Sequence, residues 1–235
     1  MVSGFLIVKN EEELLQYCLE SFASLGDLLD VLSVVDNNST DATLDILRGW
    51  STKLPVVLQH EHGHAHHGQL RELALSKCKP ESAWIYYLDG DETHSLGMPE
   101  FFLGGRAEKS DIWEAQKWST IVDRYHHAGG EGPAQRIFRN LPGVKFPQSV
   151  HTEPTHPQLQ RKALIPNVYL FDATSCKSEE ALWEKGIRYA WAQRENVPGV
   201  GPFHEYTGRV EYARQHNTIR ELPEEVKRLV FCGPI

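Results

Sequence analysis

Two aspartates separated by one glycine are the residues of this 235-residue chain best suited to chemistry. Asp89, Gly90, Asp91 and Glu92 directly follow the apolar run 83–88. Carboxylate oxygens suit Mg²⁺ or Mn²⁺, which bind through one or two carboxylates together with substrate phosphates. Gly90 lets the backbone turn so that both aspartates can approach one cation. An ordinary acidic turn after a strand has the same composition, so this motif alone does not decide between a metal site and such a turn.

The elements before this motif predict a parallel sheet that would position it. The run 83–88 is typical of a strand buried on both faces, and open α/β sheets bind ligands at the carboxyl ends of such strands. Strands are predicted at 5–8, 31–35 and 54–58, and helices at 11–24, after the turn cluster 37–41, and at 67–77. Asn10 is a plausible N-cap of the first helix, with glutamates in its first turn. This alternation predicts a parallel, right-handed α/β half.

The second half of the chain predicts a mixed arrangement. Strands are expected at 112–122, 135–139, 144–150 and 163–171, with a loop at 126–133, a helix at 178–193 and polar helices after it. Without a sharp linker, we expect one domain over 1–235, made of a first half at 1–95 and a second half at 96–235.

Charge and cysteine content limit the binding partners and the cellular compartment that we expect for the protein. Lys and Arg number 24 against 32 Asp and Glu, a net charge of −8, so broad attraction to nucleic acid or an anionic membrane is not expected. The four cysteines are far apart in sequence, which is typical of a reducing compartment. The apolar run 4–8 is too short for a signal peptide or a membrane span. We therefore expect a cytoplasmic protein without integral membrane association.

Five motifs in a fixed order suggest a family. They are Val8–Glu12, Val35–Thr43, Leu88–Glu92, Gln135–Asn140 and Val150–His151, with a weaker match at Lys177–Glu180. Over roughly residues 4–195 this order resembles the family 2 glycosyltransferases of the GT-A fold, and the fourth and fifth motifs resemble a bacterial lipopolysaccharide-core-like subgroup. The resemblance implies a Rossmann-like, mostly parallel central sheet flanked by helices, with a mixed second half and C-terminal helices.

The resemblance also implies a reaction and its residues. A sugar would move from a nucleotide-sugar donor, with UDP-sugars favoured, to an acceptor hydroxyl, with Mn²⁺ or Mg²⁺ as cofactor. The metal ligands would be Asp89, Asp91 and His151. The donor-binding positions would be Val8, Asn10 and Glu11 around the nucleotide, Asp36 at the base or ribose, Arg71 at the diphosphate, and Asp89 with Gly90 beside the donor.

The general base is harder to place. Inverting members of the family typically carry an acidic base toward the acceptor hydroxyl, often in a Glu-Asp pair, and no such pair is found here. Glu153, Glu131 and Asp172 are possible substitutes, and Asp91 is the other catalytic residue that we expect. Neither the base nor the stereochemistry follows from the sequence.

Other functions and several acceptors stay open. A nucleotidyltransferase would share the acidic site but usually has a glycine- and basic-rich loop after the first strand, where this chain has Lys9, Asn10 and glutamates. A non-catalytic nucleotide-sugar-binding or metal-binding module would not need the intact aspartate pair. The acceptor could be a glycan, a lipid core, a protein or a hydroxymethylated DNA base. The last depends on a basic face made of Arg124, Arg136, Arg139, Lys145, Arg161 and Lys162.

Two further features and the assembly also stay open. Trp118 is a candidate for stacking on the acceptor. The histidines of 60–67 are expected near the donor or acceptor rather than on zinc, because no cysteine or carboxylate completes a ligand set. The oligomeric state does not follow from the sequence.

Overall fold

The computed structural model describes residues 1–61, 66–118, 121–123, 126–127, 131–147, 153–178, 180–182, 185, 215 and 219–221. The first half contains β1 (Val2–Val8), α1 (Leu15–Ala23), β2 (Leu29–Asp36), α2 (Thr43–Trp50), β3 (Val56–His60), α3 (His67–Leu75), β4 (Trp84–Asp89) and β5 (Glu92–His94). The second half contains α4 (Met98–Leu103), β6 (Ile112–Trp118), β7 (Ile121–Asp123), β8 (His126–His127), β9 (Glu131–Arg139), β10 (Lys162–Asp172) and β11 (Arg220–Glu221).

Eight of the described strands form the central sheet, in the order β3-β2-β1-β4-β9-β6-β10-β5. Strands β3, β2, β1, β4, β6 and β10 run in one direction, and β9 and β5 run against them. The expected mostly parallel sheet with a mixed second half is confirmed. No helix among the described residues is long and apolar enough to cross a membrane. The C-terminal helices expected after residue 185 lie almost entirely outside the described residues.

Apolar side chains cover both faces of the first four parallel strands. Leu6, Leu32 and Leu88 belong to one buried cluster, and Phe5 and Tyr87 belong to a second. The Phe5 and Tyr87 rings stack with centroids 5.0 Å apart. Because every described residue of β4 before Asp89 is buried, the strand holds its carboxyl end in a fixed position.

Helix α3 packs closely against the segment before residue 148. A Cβ atom on Gly68 would lie 2.2 Å from the Pro147 carbonyl oxygen, so only glycine permits this approach. The contact fixes the first turn of α3, and Arg71 follows one turn later. Arg71 is buried and points to the end of β4.

Helix α1 begins four residues later than predicted. Asn10 adopts a φ of 50°, in the left-handed region that Asn tolerates, and its side chain accepts a hydrogen bond from Thr40 N at 2.9 Å. It therefore does not cap α1, whose N-cap is Leu14 without a side-chain hydrogen bond. The prediction of an Asn10 N-cap is wrong because this side chain joins the loop after β2 instead.

Several predictions for the second half need correction. The strand predicted at 112–122 is divided between β6 and β7, and β8 with the start of β9 occupies part of the predicted loop 126–133. Of the strand predicted at 144–150, residues 144–147 contain only an isolated bridge from Lys145 to Thr155, and the rest lies outside the described residues. Strand β10 is confirmed, with a register shift between Leu164 and Tyr169 that accommodates Pro166.

The topology brings the predicted site positions to one edge of the sheet. The six parallel strands all end there, and the two opposed strands begin there. We call this the carboxyl edge, formed by Val8, Asp36, His60, Asp89, Trp118 and Asp172 with Glu131 and Glu92.

Candidate active site

Two neighbouring groups of ion pairs occupy the carboxyl edge. The Asp89 network consists of Asp89, Glu92, Asp172, Arg71, Arg136 and Lys117. The Asp91 network consists of Asp91, Glu11, Lys177 and Lys185. Thr174 connects them, because its backbone N–H donates to Asp172 Oδ1 at 3.0 Å and its hydroxyl donates to Asp91 Oδ2 at 2.7 Å. Each network contains equal numbers of acidic and basic residues.

In the Asp89 network, two guanidinium groups converge on one carboxylate. Arg71 donates to Asp89 Oδ1 at 2.8 Å, and Arg136 donates to Asp89 Oδ2 at 3.2 Å. Both guanidinium groups lie over the Tyr87 ring, at 5.4 and 5.0 Å from its centroid. Burial alone would raise the pKa of Asp89, but Arg71 and Arg136 outweigh it and hold this pKa well below its ordinary value. Asp89 is therefore an anion, and its side chain is still 34% exposed.

Glu92 and Lys117 extend this network toward β10. Glu92 accepts hydrogen bonds from Arg136 and from Lys117, each at a shortest distance of 2.6 Å. Lys117 also pairs with Asp172 at 2.9 Å. Burial would lower the pKa of Lys117, but Glu92 and Asp172 outweigh it and raise this pKa, so Lys117 stays charged.

In the Asp91 network, the charges are more deeply buried. Asp91 is 3% exposed, and among the described residues its carboxylate contacts all go to Oδ2, from Thr174, Lys185 and Lys177. Burial would raise the pKa of Asp91, but Lys185 and Lys177 outweigh it and hold this pKa well below its ordinary value. Lys177 also donates to Glu11 at 2.5 Å. Burial, followed by the charge of Asp91, raises the pKa of Glu11.

The loops after β1 and β2 are joined beside these networks. Asp36 is buried and accepts from Ser39 N at 3.2 Å, while His60 Nδ1 lies 3.6 Å from Asp36 Oδ2. Ser39 Oγ in turn accepts from Asn10 N at 3.0 Å. Ser39 therefore connects Asn10 and Asp36, two predicted nucleotide-binding positions, through hydrogen bonds between the loops after β1 and β2.

Gly90 is required by space rather than by an unusual backbone conformation. A Cβ atom at Gly90 would lie 2.9 Å from Glu11 Cγ and 3.3 Å from Val8 Cγ1. Gly90 has no positive φ, in contrast to three glycines elsewhere in the described chain. The glycine thus lets Val8 and Glu11 pack directly against the turn between Asp89 and Asp91.

The structure separates the predicted base candidates. Glu153 is exposed and lies 3.6 Å from Lys162, at the beginning of β10. Asp172 ends the same strand at the carboxyl edge, about 20 Å away, because residues 162–171 of β10 lie beside only the seven residues 112–118 of β6. Glu131 begins β9 at the carboxyl edge, opposite Trp118 in the β6–β9 register. His151, the predicted third metal ligand, lies outside the described residues.

Three minor predictions have different outcomes. Trp118 is buried against Phe171 and His127, so its ring is part of a small apolar cluster rather than an exposed platform.

The predicted basic face is not continuous, because each of its described members pairs with an acid. The pairs are Arg136 with Glu92, Arg139 and Arg161 with Asp111, Lys145 with Glu72 and Lys162 with Glu153. Within the histidine cluster, His60 faces Asp36, and 62–65 lie outside the described residues.

Residues 3–100 match glycosyl transferase family 2. The resemblance to this family, expected from the motifs, is thereby confirmed over these residues. A curated relative with 30% identity over 104 residues is the lipopolysaccharide core biosynthesis glycosyltransferase LpsC of Rhizobium meliloti, and the match covers 42% of this chain and 34% of LpsC. The chain spans about a third of the length of the curated relatives it matches.

Solved structures show the same fold. Residues 1–349 of S. aureus TarS, in complex with UDP-GlcNAc, superpose with a TM-score of 0.56 at 16% identity, over 83% of this chain and 64% of the TarS fragment. The mannosyltransferase PcManGT from Pyrobaculum calidifontis, in complex with GDP-Man and Mn²⁺, superposes with a TM-score of 0.57 at 17% identity, over 92% of this chain and 70% of PcManGT. The GT-A fold expected from the resemblance is confirmed.

The donor atoms at the carboxyl edge fit a divalent ion only in part. No three His, Cys, Asp or Glu side chains among the described residues form a group that could hold a metal. The exposed side of Asp89 and the Oδ1 atom of Asp91 are oxygen donors of the kind that Mg²⁺ and Mn²⁺ prefer. These two carboxylates would supply two oxygen ligands, and an ion bound there would take its remaining ligands from donor phosphates and water.

Five residues of the two networks, and Thr174 between them, were not among the predicted site residues. The five are Glu92, Lys117, Arg136, Lys177 and Lys185. No helical periodicity could have linked Lys177 with Lys185, because Lys177 is extended and precedes the helical positions after Ser178.

Proposed function

We propose that this protein transfers a sugar from a nucleotide-sugar donor to an acceptor hydroxyl, with Mn²⁺ or Mg²⁺ bound at Asp89 and Asp91. The observation that carries the proposal is the pair of anionic carboxylates at the end of β4, flanked by buried guanidinium and ammonium groups. The family of residues 3–100 and the nucleotide-sugars bound by TarS and PcManGT support it.

The charged side chains would act on the leaving group. When a nucleoside diphosphate departs, negative charge builds on its phosphate oxygens. Arg71 and Arg136 are held against Tyr87 by Asp89, so little reorganisation is needed for them to face a diphosphate at this edge. A bound divalent ion would supply Lewis-acid stabilisation of the same charge, worth several kcal/mol.

Asp172 is our preferred general base. Its carboxylate belongs to the Asp89 network and is held by Lys117 at 2.9 Å and by the backbone N–H of Thr174 at 3.0 Å. Two such contacts orient a carboxylate, and a base must be oriented toward the acceptor hydroxyl. Glu131 stays a second candidate at the same edge, whereas Glu153 lies at the far end of β10. His151 stays a predicted third ligand of the ion.

The donor and acceptor are proposed by class. We favour a UDP-sugar and keep a GDP-sugar as the alternative, since similar structures hold one or the other. The similarity to LpsC supports a glycan or lipid-core acceptor. A hydroxymethylated DNA base is less well supported, because the described basic side chains are paired with acids. Free thiols at Cys18 and Cys78 support the expected cytoplasmic location.

A donor screen tests the proposal. The protein is incubated with Mn²⁺ and UDP-, GDP- or dTDP-sugars, with and without a panel of glycan and lipid-core acceptors, and nucleoside diphosphate release is measured. We expect one nucleotide class to be released faster with an acceptor. Release of pyrophosphate instead would indicate a nucleotidyltransferase. Calorimetric binding of a nucleotide with Mn²⁺, without turnover on any acceptor, would indicate a binding module and contradict the proposal.

A further inference from the structure

Thr174 lies between two carboxylates to which we assign different roles. Its hydroxyl donates to Asp91 Oδ2 at 2.7 Å, and its backbone N–H donates to Asp172 Oδ1 at 3.0 Å. Asp91 is the proposed ligand of the ion, and Asp172 is the proposed base. Thr174 is only 4% exposed, so bulk water does not compete with the Asp91 carboxylate for its hydroxyl.

The backbone around Thr174 is fixed to the turn that carries Asp91. The Ala173 N–H donates to the Asp91 carbonyl oxygen at 3.0 Å, and the Thr174 carbonyl oxygen accepts from Lys177 N at 3.2 Å. The contact with Asp172 is also made by the backbone. A β-branched side chain such as that of threonine is in addition stiff at χ1. The hydroxyl therefore has a fixed position relative to the Asp91 carboxylate.

The donors around Asp91 meet only one of its two carboxylate oxygens. Among the described residues, Thr174, Lys177 and Lys185 all contact Oδ2. Both lysines can follow a carboxylate that turns, because a lysine side chain is a flexible stem with a point charge at its end. Thr174 cannot follow it in this way. Its hydrogen bond is therefore the contact that fixes Oδ2 and leaves Oδ1 for a ligand.

The number of oxygens that a carboxylate offers separates the divalent ions. Ca²⁺ takes about six to eight oxygens in a flexible geometry and accepts both oxygens of one carboxylate, whereas Mg²⁺ is smaller and requires near-octahedral ligands. Mn²⁺ uses the same oxygen ligands as Mg²⁺ in octahedral sites. An Asp91 carboxylate held at Oδ2 suits the smaller ions. A carboxylate that could turn and offer both oxygens would suit Ca²⁺ better.

We propose that Thr174 is a positioning residue that selects Mg²⁺ and Mn²⁺ over Ca²⁺ at Asp91. This inference rests on the proposed function and adds a determinant of ion selectivity to it. The threonine hydroxyl acts through the Asp91 carboxylate, because it holds Oδ2 and so prevents both oxygens from turning toward one ion.

Ion competition tests this selectivity without any turnover. The electron paramagnetic resonance signal of free Mn²⁺ reports how much bound Mn²⁺ is displaced by Ca²⁺ or by Mg²⁺. Thr174→Val removes the hydroxyl and nearly keeps the shape of the side chain, whereas Thr174→Ser keeps the hydroxyl. Thr155→Val is the matched control, because Thr155 is exposed and its hydroxyl donates to the Lys145 carbonyl oxygen at 3.1 Å.

In the wild type, we expect Mg²⁺ to displace Mn²⁺ at a lower concentration than Ca²⁺ does. In Thr174→Val, the concentration of Ca²⁺ that is needed relative to Mg²⁺ should fall by at least about fivefold, which is less than the full worth of a hydrogen bond to a charged group. Thr174→Ser and Thr155→Val should keep the wild-type ratio.

Three results would overturn the inference. The first is a wild-type ratio in Thr174→Val, and the second is an equal loss of selectivity in Thr174→Ser. The third needs no variant and applies even if Thr174→Val does not fold: a wild type that binds no Mn²⁺ or that loses it equally to Ca²⁺ and Mg²⁺. Failure of the proposed function is distinguishable, because it would appear as absence of sugar transfer from every donor while the Thr174-dependent selectivity persists.

Discussion

Ion pairs of the same chemistry lie at both edges of the central sheet, but their side chains differ in exposure to solvent. At the amino edge, where the parallel strands begin, Asp111 accepts from Arg139 at 3.3 Å and from Arg161 at 2.7 Å. The Arg161 side chain there is 62% exposed. At the carboxyl edge, Arg136 is 12% exposed and pairs with a completely buried Glu92.

This difference in exposure indicates that the ion pairs at the two edges have different roles. Exposed ion pairs cost little desolvation and contribute little. Buried pairs cost several kcal/mol of desolvation per ion, and apolar side chains of similar size are often as stable. The buried networks of ion pairs at the carboxyl edge are therefore better explained by a charged ligand than by stability. Two arginines of β9 allow a direct comparison, since Arg136 belongs to one edge and Arg139 to the other.

The largest expected effect comes from the base. Asp172→Asn should lower kcat by about 10²–10⁴-fold, because an amide cannot accept the acceptor's proton. Glu153→Gln should keep wild-type kcat, because Glu153 lies beside Lys162 at the amino end of β10. Steady-state release of nucleoside diphosphate measures both. Equal rates for the wild type and Asp172→Asn would move the base elsewhere, with Glu131 the next to test.

The second effect is on stability. Arg136→Met should lower the free energy of unfolding by about 3 kcal/mol, because it leaves Glu92 and Asp89 with one cation fewer in a buried site. Arg139→Met should cost about 1 kcal/mol or less, because Asp111 keeps its contact with Arg161 and the other partner, Glu108, is 64% exposed. Urea unfolding monitored by tryptophan fluorescence measures the difference. Equal losses for the two variants would remove the distinction between the edges.

Acid should reveal the same distinction. The pKa values of Asp89 and Asp91 are below their values in the unfolded chain, so their ionisation stabilises the fold at neutral pH. This stabilisation is complete above the unfolded pKa of about 4 and is lost as the pH falls through the folded values. Glu11, whose pKa is raised, contributes with the opposite sign.

Urea titrations between about pH 7 and pH 3 test this expectation. The wild type should lose stability mainly below about pH 4, and Arg136→Met should lose less there, because Asp89 has one cation fewer to hold its pKa down. In Arg139→Met the wild-type slope should remain, since Arg161 still pairs with Asp111. Identical slopes in wild type and Arg136→Met would be inconsistent with the assigned cause of the Asp89 shift.

The smallest effect is that of salt. Raising the ionic strength from 0.15 to 1 M shortens the screening length from about 8 to about 3 Å and weakens exposed pairs more than buried ones. The destabilisation caused by Arg161→Met should therefore disappear in 1 M NaCl, whereas that of Arg136→Met should persist. If salt removed both alike, the Arg136 contacts would be as accessible to ions as those of Arg161.

Local sequence patterns predicted the first half of the fold and the acidic centre of the site. Apolar runs ending on Asp36 and Asp89 indicate buried parallel strands, and parallel strands must end at one edge. The glutamates after Asn10 were assigned to a helix N-terminus, because the helix dipole favours acids there. Glu11 and Glu13 instead bind Lys177 and Ser178, which lie more than 160 residues away in sequence.

The basic half of the site could not be predicted in the same way. Lysines are almost never buried unless they are paired. From the sequence alone, Lys177 and Lys185 therefore look like ordinary solvent-exposed lysines. Arg136 was recognised within a motif, but its contact with Glu92 depends on β9 lying beside β4 in the antiparallel direction. Such contacts follow from topology, and no local periodicity encodes them.

One measurement tests the central claim most directly: nucleoside diphosphate release by wild type and Asp91→Asn, with Mn²⁺ and with saturating EDTA. The asparagine keeps an oxygen that can accept from Thr174, so cooperative unfolding of the variant should be retained and confirms that it folds. We predict a loss of at least about 10²-fold both in the variant and in EDTA. Full turnover of Asp91→Asn in saturating EDTA would contradict a reaction that depends on an ion at this carboxylate.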